Sequence, residues 1–108
     1  MNYIYLVKVF NIKEEGFIDT LEEEIVAVCT DKNRAEEIIR ENKCGIDDGC
    51  YNYGLIVTVA DGRVYGEINP VDLSVYKYNK KENSFEALSY YNDVTLTVKK
   101  NYCFRLDF

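Results

Sequence analysis

Residues 2–10 read NYIYLVKVF. β-branched and aromatic side chains dominate, and apolar residues fall on both alternating sets of positions. Such a run marks a strand covered on both faces rather than one with a wet side. Beyond it, residues 11–23 turn polar and acidic around Gly16 and read as a loop or loose hairpin connection, with Phe17, Ile18 and Leu21 pinning it to the body. EIVAVC (24–29) restores a strand. Thr30-Asp31 then offers an N-cap, and DKNRAEEIIRENK carries Ala35, Ile38, Ile39 and Asn42 at helical spacing. Glu36 and Arg40 stand four apart, a favourable ion-pair spacing, and Gly45 fits just past the helix end. This is the one helix that the sequence marks.

Downstream the signal is β throughout. YGLIVTVA (53–60), the turn Asp61-Gly62 and RVYGEI (63–68) read as a hairpin with a type I′ turn, and Asn69-Pro70 breaks the run. SVYKYN (74–79) and SFEALSY (84–90) flank the polar turn 80–83 as a second hairpin. VTLTVKK (94–100) alternates, with Val94, Leu96 and Val98 against Thr95, Thr97 and Lys99. YCFRLDF (102–108) repeats that pattern, so a structural final strand is predicted. The order is β-β-α followed by five or six strands. The predicted fold is α+β: one domain over 1–108, a mainly antiparallel twisted sheet with one helix packed on a face.

Composition fits that domain. The chain has 108 residues, 47% of them apolar and 30% charged, with a single proline. A chain of this length can build a core without staples. No apolar run approaches the roughly 20 residues a membrane helix needs, and the start lacks the basic stretch and small-residue cleavage site of a secretory signal. A cytoplasmic protein with no membrane contact is the expectation. Net charge is −6, unevenly placed. Residues 11–24 hold one lysine against six acids, a balance of −5, whereas residues 61–108 are neutral. An acidic chain has no counterions to release from a phosphate backbone, which argues against direct nucleic-acid binding. Lys80-Lys81 and Lys99-Lys100 are too small to reverse this and read as solvated turns.

The absence of histidine removes Ser-His-Asp and Cys-His catalysis, a histidine base and histidine metal ligands. Neither a GxxxxGK[ST] loop nor a GxGxxG turn occurs. A zinc site would need all four thiolates of Cys29, Cys44, Cys50 and Cys103, whose spacing is unlike the usual knuckles. Cys29 and Cys103 read as small core residues. Cys44 and Cys50 flank GIDDG, close enough to bridge if oxidised. Asp47-Asp48 in that loop suits a turn better than a cation site, because the alternating oxygen ligands of a calcium loop are missing. No catalytic residue, metal or cofactor is expected.

Binding is what remains. The acidic segment offers Glu14, Glu15, Asp19, Glu22 and Glu23 as a surface that can occupy a basic groove on a partner. Ten tyrosines, with no tryptophan, exceed what a core can absorb. Tyr76 and Tyr78 share one strand face, and Tyr90-Tyr91 sits at a strand end; exposed tyrosines enrich binding surfaces.

Tyr5-Leu6-Val7, Ile25–Thr30 and Ala35–Ile39 carry a resemblance over residues 3–42. This stretch resembles small bacterial and phage proteins that run strand, acidic loop, strand and then a helix with an A-E-E-x-I stretch. The resemblance transfers no site residue. It implies a product of a phage or other mobile element, many of which act by binding host proteins, anti-CRISPR and other anti-defence proteins among them. The leading expectation is therefore a non-enzymatic inhibitor, monomer or homodimer, of a host protein with a basic surface. A module that sequesters a small molecule or nucleotide, and a phage assembly subunit, are the alternatives. An inhibitor needs an exposed acidic or aromatic patch, a sequestering module a concave pocket with a lysine or arginine reaching in, and an assembly subunit a broad apolar self-interface.

Overall fold

The computed structural model of the chain describes residues 2–43, 45, 50–61 and 70–103. Among the described residues five strands form one antiparallel sheet, accompanied by two helices. In chain order they are β1 (Tyr3–Glu15), β2 (Ile18–Cys29), α1 (Lys32–Arg40), β3 (Tyr53–Ala60), β4 (Pro70–Asn79), β5 (Ser84–Ala87) and α2 (Asp93–Cys103). The sheet order is β2-β1-β3-β4-β5, so β1, β3 and β4 lie inside and β2 and β5 are the edges.

Both faces of the sheet are covered, each by one helix. On one face Val7, Val9, Ile56, Tyr76 and Phe85 pack with Ala35 and Ile39 of α1. On the other Phe10, Leu55, Val57, Val59 and Val75 pack with Val98 and Tyr102 of α2. This is why β1 and β3 read as apolar on both sides. Every residue of β3 after Tyr53 is buried.

The N-terminal signal for α1 holds, whereas the C-terminal one does not. Asp31 is the N-cap, its carboxylate accepting the Asn33 N–H at 2.9 Å. At the C-terminus Asn42 takes a left-handed conformation at φ 50°. The Lys43 N–H then reaches the Ile38 carbonyl at 2.9 Å and the Asn42 N–H the Ile39 carbonyl at 3.2 Å, the pairing of a Schellman cap. The stop is thus made by Asn42, three residues before Gly45. The Glu36–Arg40 pair does not form in the expected way. Arg40 lies over the Tyr76 ring, 5.6 Å from its centroid, and Glu37 takes the cations instead, Arg34 and Lys43 each at 2.8 Å.

Two elements differ from the sequence reading. The segment 11–23 is not a loop: β1 and β2 stay paired out to Glu15↔Ile18, leaving a two-residue turn at Gly16-Phe17. Gly16 at φ 64° supplies the positive φ such a turn requires. Residues 94–100 are not a strand but the body of α2. Their alternation is overridden by a second pattern, Val94, Val98 and Tyr102 at intervals of four, which lays one helical stripe on the second face of the sheet. Asn92 caps the N-terminus by accepting the Val94 N–H at 2.9 Å. Leu96, inward in the strand reading, is exposed. Full burial of Val98 alone is worth roughly 1.5–3 kcal/mol, more than the modest helix cost of a β-branched residue. The predicted single helix is thus two, one per face. Tyr102 and Cys103 end α2, whereas the remainder of the predicted final strand, Gly62 of the predicted I′ turn, the strand 63–68 and the Asp47-Asp48 turn lie outside the described residues.

Candidate functional site

The acidic residues gather on a β-hairpin arm. The β1–β3 ladder ends at Phe10↔Tyr53, while the β1–β2 ladder continues through five further residues of β1, Asn11–Glu15. The arm therefore runs on past its neighbour in the sheet. Its base is held on three sides. Asn11 donates to the Cys50 carbonyl at 2.8 Å and accepts the Asn52 N–H at 2.8 Å. Ile12 and Leu21 pack into the α2 side of the core. Asn101 of α2 donates to the Asp19 carbonyl at 3.2 Å. The outer part bears Glu14, Glu15 and Asp19, all exposed, with Glu22 exposed further down β2. Phe17 at the tip is fully exposed. Lys13 pairs with Glu15 at 3.1 Å, and both are solvated.

Glu23 is a different kind of residue. It sits at the base of the arm on the α2 face and accepts two hydrogen bonds on one carboxylate oxygen, from Lys8 Nζ at 2.6 Å and from the Tyr102 hydroxyl at 2.7 Å. Lys8 also donates to that hydroxyl at 3.0 Å. The three groups close a ring that ties β1, β2 and α2 together. It is largely shielded, with the Lys8 and Glu23 side chains 14% and 22% exposed. Glu23 is therefore a structural partner, not a free surface charge. Glu24, not singled out in the sequence, accepts the Tyr51 hydroxyl at 2.8 Å on the opposite face. That hydrogen bond to a carboxylate holds the Tyr51 phenol above its ordinary pKa.

The tyrosines divide in the same way. Tyr76 is 2% exposed and belongs to the core under α1, so it is removed from the candidate binding surface. Tyr78 shares its strand face, as expected, but is turned to the β4–β5 turn. It donates to Asn83 at 2.7 Å and packs against Phe85. Tyr90 and Tyr91 are exposed, 66% and 80%, with rings edge to face at 5.3 Å. They form the exposed aromatic cluster the composition called for, in the connection between β5 and α2.

Near that cluster lies a cavity of about 220 Å³. Val71 and Leu73 of β4, Tyr90, and Lys99 and Tyr102 of α2 are among its walls. Lys99, read from the sequence as part of a solvated turn, instead buries its ammonium here, with no hydrogen-bond partner. The signal that could have revealed it is the i, i+3 spacing of Lys99 and Tyr102, which places both on neighbouring rows of a helix but not of a strand.

Cys29 is half-buried against the α1-side core and Cys50 is exposed; both are free thiols. Among the described residues no group of three or more cysteines and carboxylates is placed to hold a metal ion, and no helix is long and apolar enough to cross a membrane. No protein-family model matches the chain, and neither a curated protein nor a solved structure is similar to it at a significant level.

Proposed function

We propose that this chain is a non-enzymatic binding protein that inserts its acidic hairpin arm into a basic groove of a partner protein and blocks it. The resemblance of residues 3–42 to small bacterial and phage proteins makes a host defence protein the partner class, as for an anti-CRISPR inhibitor acting in the host cytoplasm. The observation that carries this reading is the arm itself: a hairpin running beyond the sheet, carrying Glu14, Glu15 and Asp19 with a fully exposed Phe17 at its tip. A large apolar ring in water and a concentration of like charge each cost the free protein something, and contribute only once a complementary surface covers them. Charge then speeds encounter, while Phe17 and the Tyr90-Tyr91 pair are candidate anchors.

The test uses bacterial host lysate and immobilised full-length protein, followed by kinetics on any retained protein at two salt concentrations. Association should slow at high salt, and the variant Glu14→Gln/Glu15→Gln/Asp19→Asn/Glu22→Gln should associate more slowly in low salt with its fold intact. Phe17→Ala should raise the dissociation rate. A captured protein whose association ignores both salt and the four substitutions would sink the arm as the binding element.

A further inference from the structure

The Lys99 ammonium has no hydrogen-bond acceptor against it. Its Nζ atom is closed off from solvent without a hydrogen-bond partner, and it lies over the face of the Tyr90 ring, which offsets only part of the cost of burying the charge. A lysine on a surface helix ordinarily lets its stem lie along apolar residues and carries its charge out to water. Lys99 instead brings its charge inward, to the wall of a cavity of about 220 Å³. A buried cation without a counter-ion is strongly disfavoured unless something in the cavity supplies the missing charge. Among the described residues the nearby carboxylates do not supply it. Glu23 is occupied by Lys8 and the Tyr102 hydroxyl, and the Asp72 carboxylate, at the rim, turns back onto the Leu73 N–H at 2.9 Å.

We infer that this cavity is a binding site for a small organic carboxylate, whose oxygens take the Lys99 ammonium and whose apolar body lies against Val71, Leu73 and Tyr90. Three features set the class. Among the described residues Lys99 is the one cation lining the cavity and matches a single negative charge, and a dianionic phosphate would carry an uncompensated charge into a protein of net charge −6. The volume is below the roughly 300–1,000 Å³ of sites for drug-sized ligands, so the occupant is smaller than a nucleotide. The walls are largely apolar, so the rest of the molecule is a short aliphatic or aromatic group. Tyr90, two-thirds exposed, is the lid: its ring covers the ammonium in the free protein and shifts onto the ligand's apolar part in the complex.

The site lies off the arm, sharing only Tyr90 with the candidate anchors, and its test reads carboxylate binding rather than protein capture. Full-length isotope-labelled protein is titrated with 4-methylpentanoate and phenylacetate, with their neutral amides as matched controls and phenyl phosphate as the dianionic competitor, and amide and Lys99 side-chain resonances are followed. The carboxylates should give saturable shifts centred on residues 71–73, 90 and 99, the amides should bind at least tenfold more weakly, and Lys99→Met should lose at least tenfold in carboxylate affinity. The amide comparison is made on the wild type, so it decides the matter even if Lys99→Met folds poorly. Absence of saturable shifts, equal binding of acid and amide, or undiminished binding to a folded Lys99→Met would each overturn the site. Tighter binding of phenyl phosphate than of phenylacetate would overturn the carboxylate class.

Discussion

Glu14 on β1 and Asp19 on β2 stand directly opposite one another in the hairpin register, two carboxylates on the same face of the arm. Like charges in that position destabilise an antiparallel pair. The nearest lysine, Lys13, is turned to Glu15. The arm is thus built against its own stability, which is the pattern of a surface kept for something other than folding. Asp19→Lys should raise the unfolding free energy by roughly 0.2–1 kcal/mol, read as a higher denaturant midpoint with an unchanged slope. The same change should slow association with a basic partner. A lower midpoint would show that the opposition is compensated by contacts of Asp19 beyond its backbone bond to Asn101.

Gly54 marks where α1 seats on the sheet. A Cβ at this position would stand 2.5 Å from Ile39 Cδ1, 2.9 Å from Ile39 Cγ1 and 3.1 Å from Phe85 Cδ2. Ile39 is fully buried and has nowhere to move. Gly54→Ala should therefore cost about 1–3 kcal/mol by overpacking. Adding Ile39→Val should recover part of that loss, although Ile39→Val alone is destabilising by about 0.5–1.5 kcal/mol. Thermal melts of the three variants form the cycle that checks this coupling.

Tyr102→Phe keeps the ring in the core under α2 and removes only the hydroxyl that bonds Glu23 and Lys8. Hydrogen bonds to charged groups contribute roughly 1.5–3 kcal/mol when shielded, so a loss of about that size is expected in chemical denaturation. Glu23→Gln should cost more than Glu22→Gln, because it leaves Lys8 partly buried without its counter-ion. Equal midpoints for the two glutamine variants would show that the ring of three groups contributes little.

Burial raises the pKa of the Tyr76 phenol, with Arg40 opposing the shift. The folded state thus holds this proton more tightly than the unfolded chain. The stability linked to it is fully present below the unfolded value near 10, and is lost as pH rises through the higher folded value. Stability should accordingly decline in alkali above about pH 10, and Tyr76→Phe should flatten that decline while leaving neutral-pH stability within about 1.5 kcal/mol. Equilibrium unfolding at a series of alkaline pH values measures the difference.

The α1 half of the molecule was legible in the sequence because each of its signals is local. Asp31 caps the helix and its apolar residues repeat at helical spacing, although the helix is ended by Asn42 and not by the Gly45 read as its stop. The α2 half was not, because residues 94–100 satisfy two periods at once, and β-branched Val and Thr tip a local reading toward a strand. The resolving clue is long-range. NYIYLVKVF and YGLIVTVA are apolar on both faces, a sheet of such strands needs a layer on each side, and one helix can cover only one. The arm was located by charge, but its form was missed: Ile12 and Leu21, paired across the hairpin, are the alternating contacts that extend the strands through polar sequence. The Lys99 cavity was out of reach, because it arises only when α2 is a helix lying across the start of β4.

The central place of β1 in the sheet also fixes an order of events during synthesis. Its partner β2 follows after two residues, so the first hairpin can close as soon as Cys29 has left the ribosome. The other edge of β1 must wait until Tyr53–Ala60 has been made, since β3 is its second partner. At the 5–20 residues per second typical of translation, that interval is on the order of seconds, with a hairpin bare on both faces and open along one side. Exposed strand edges of this kind invite pairing with other chains. The glutamates of the arm, clustered on the part of the sheet made before β3, are placed to keep the nascent hairpins apart by mutual repulsion until the rest of the sheet arrives.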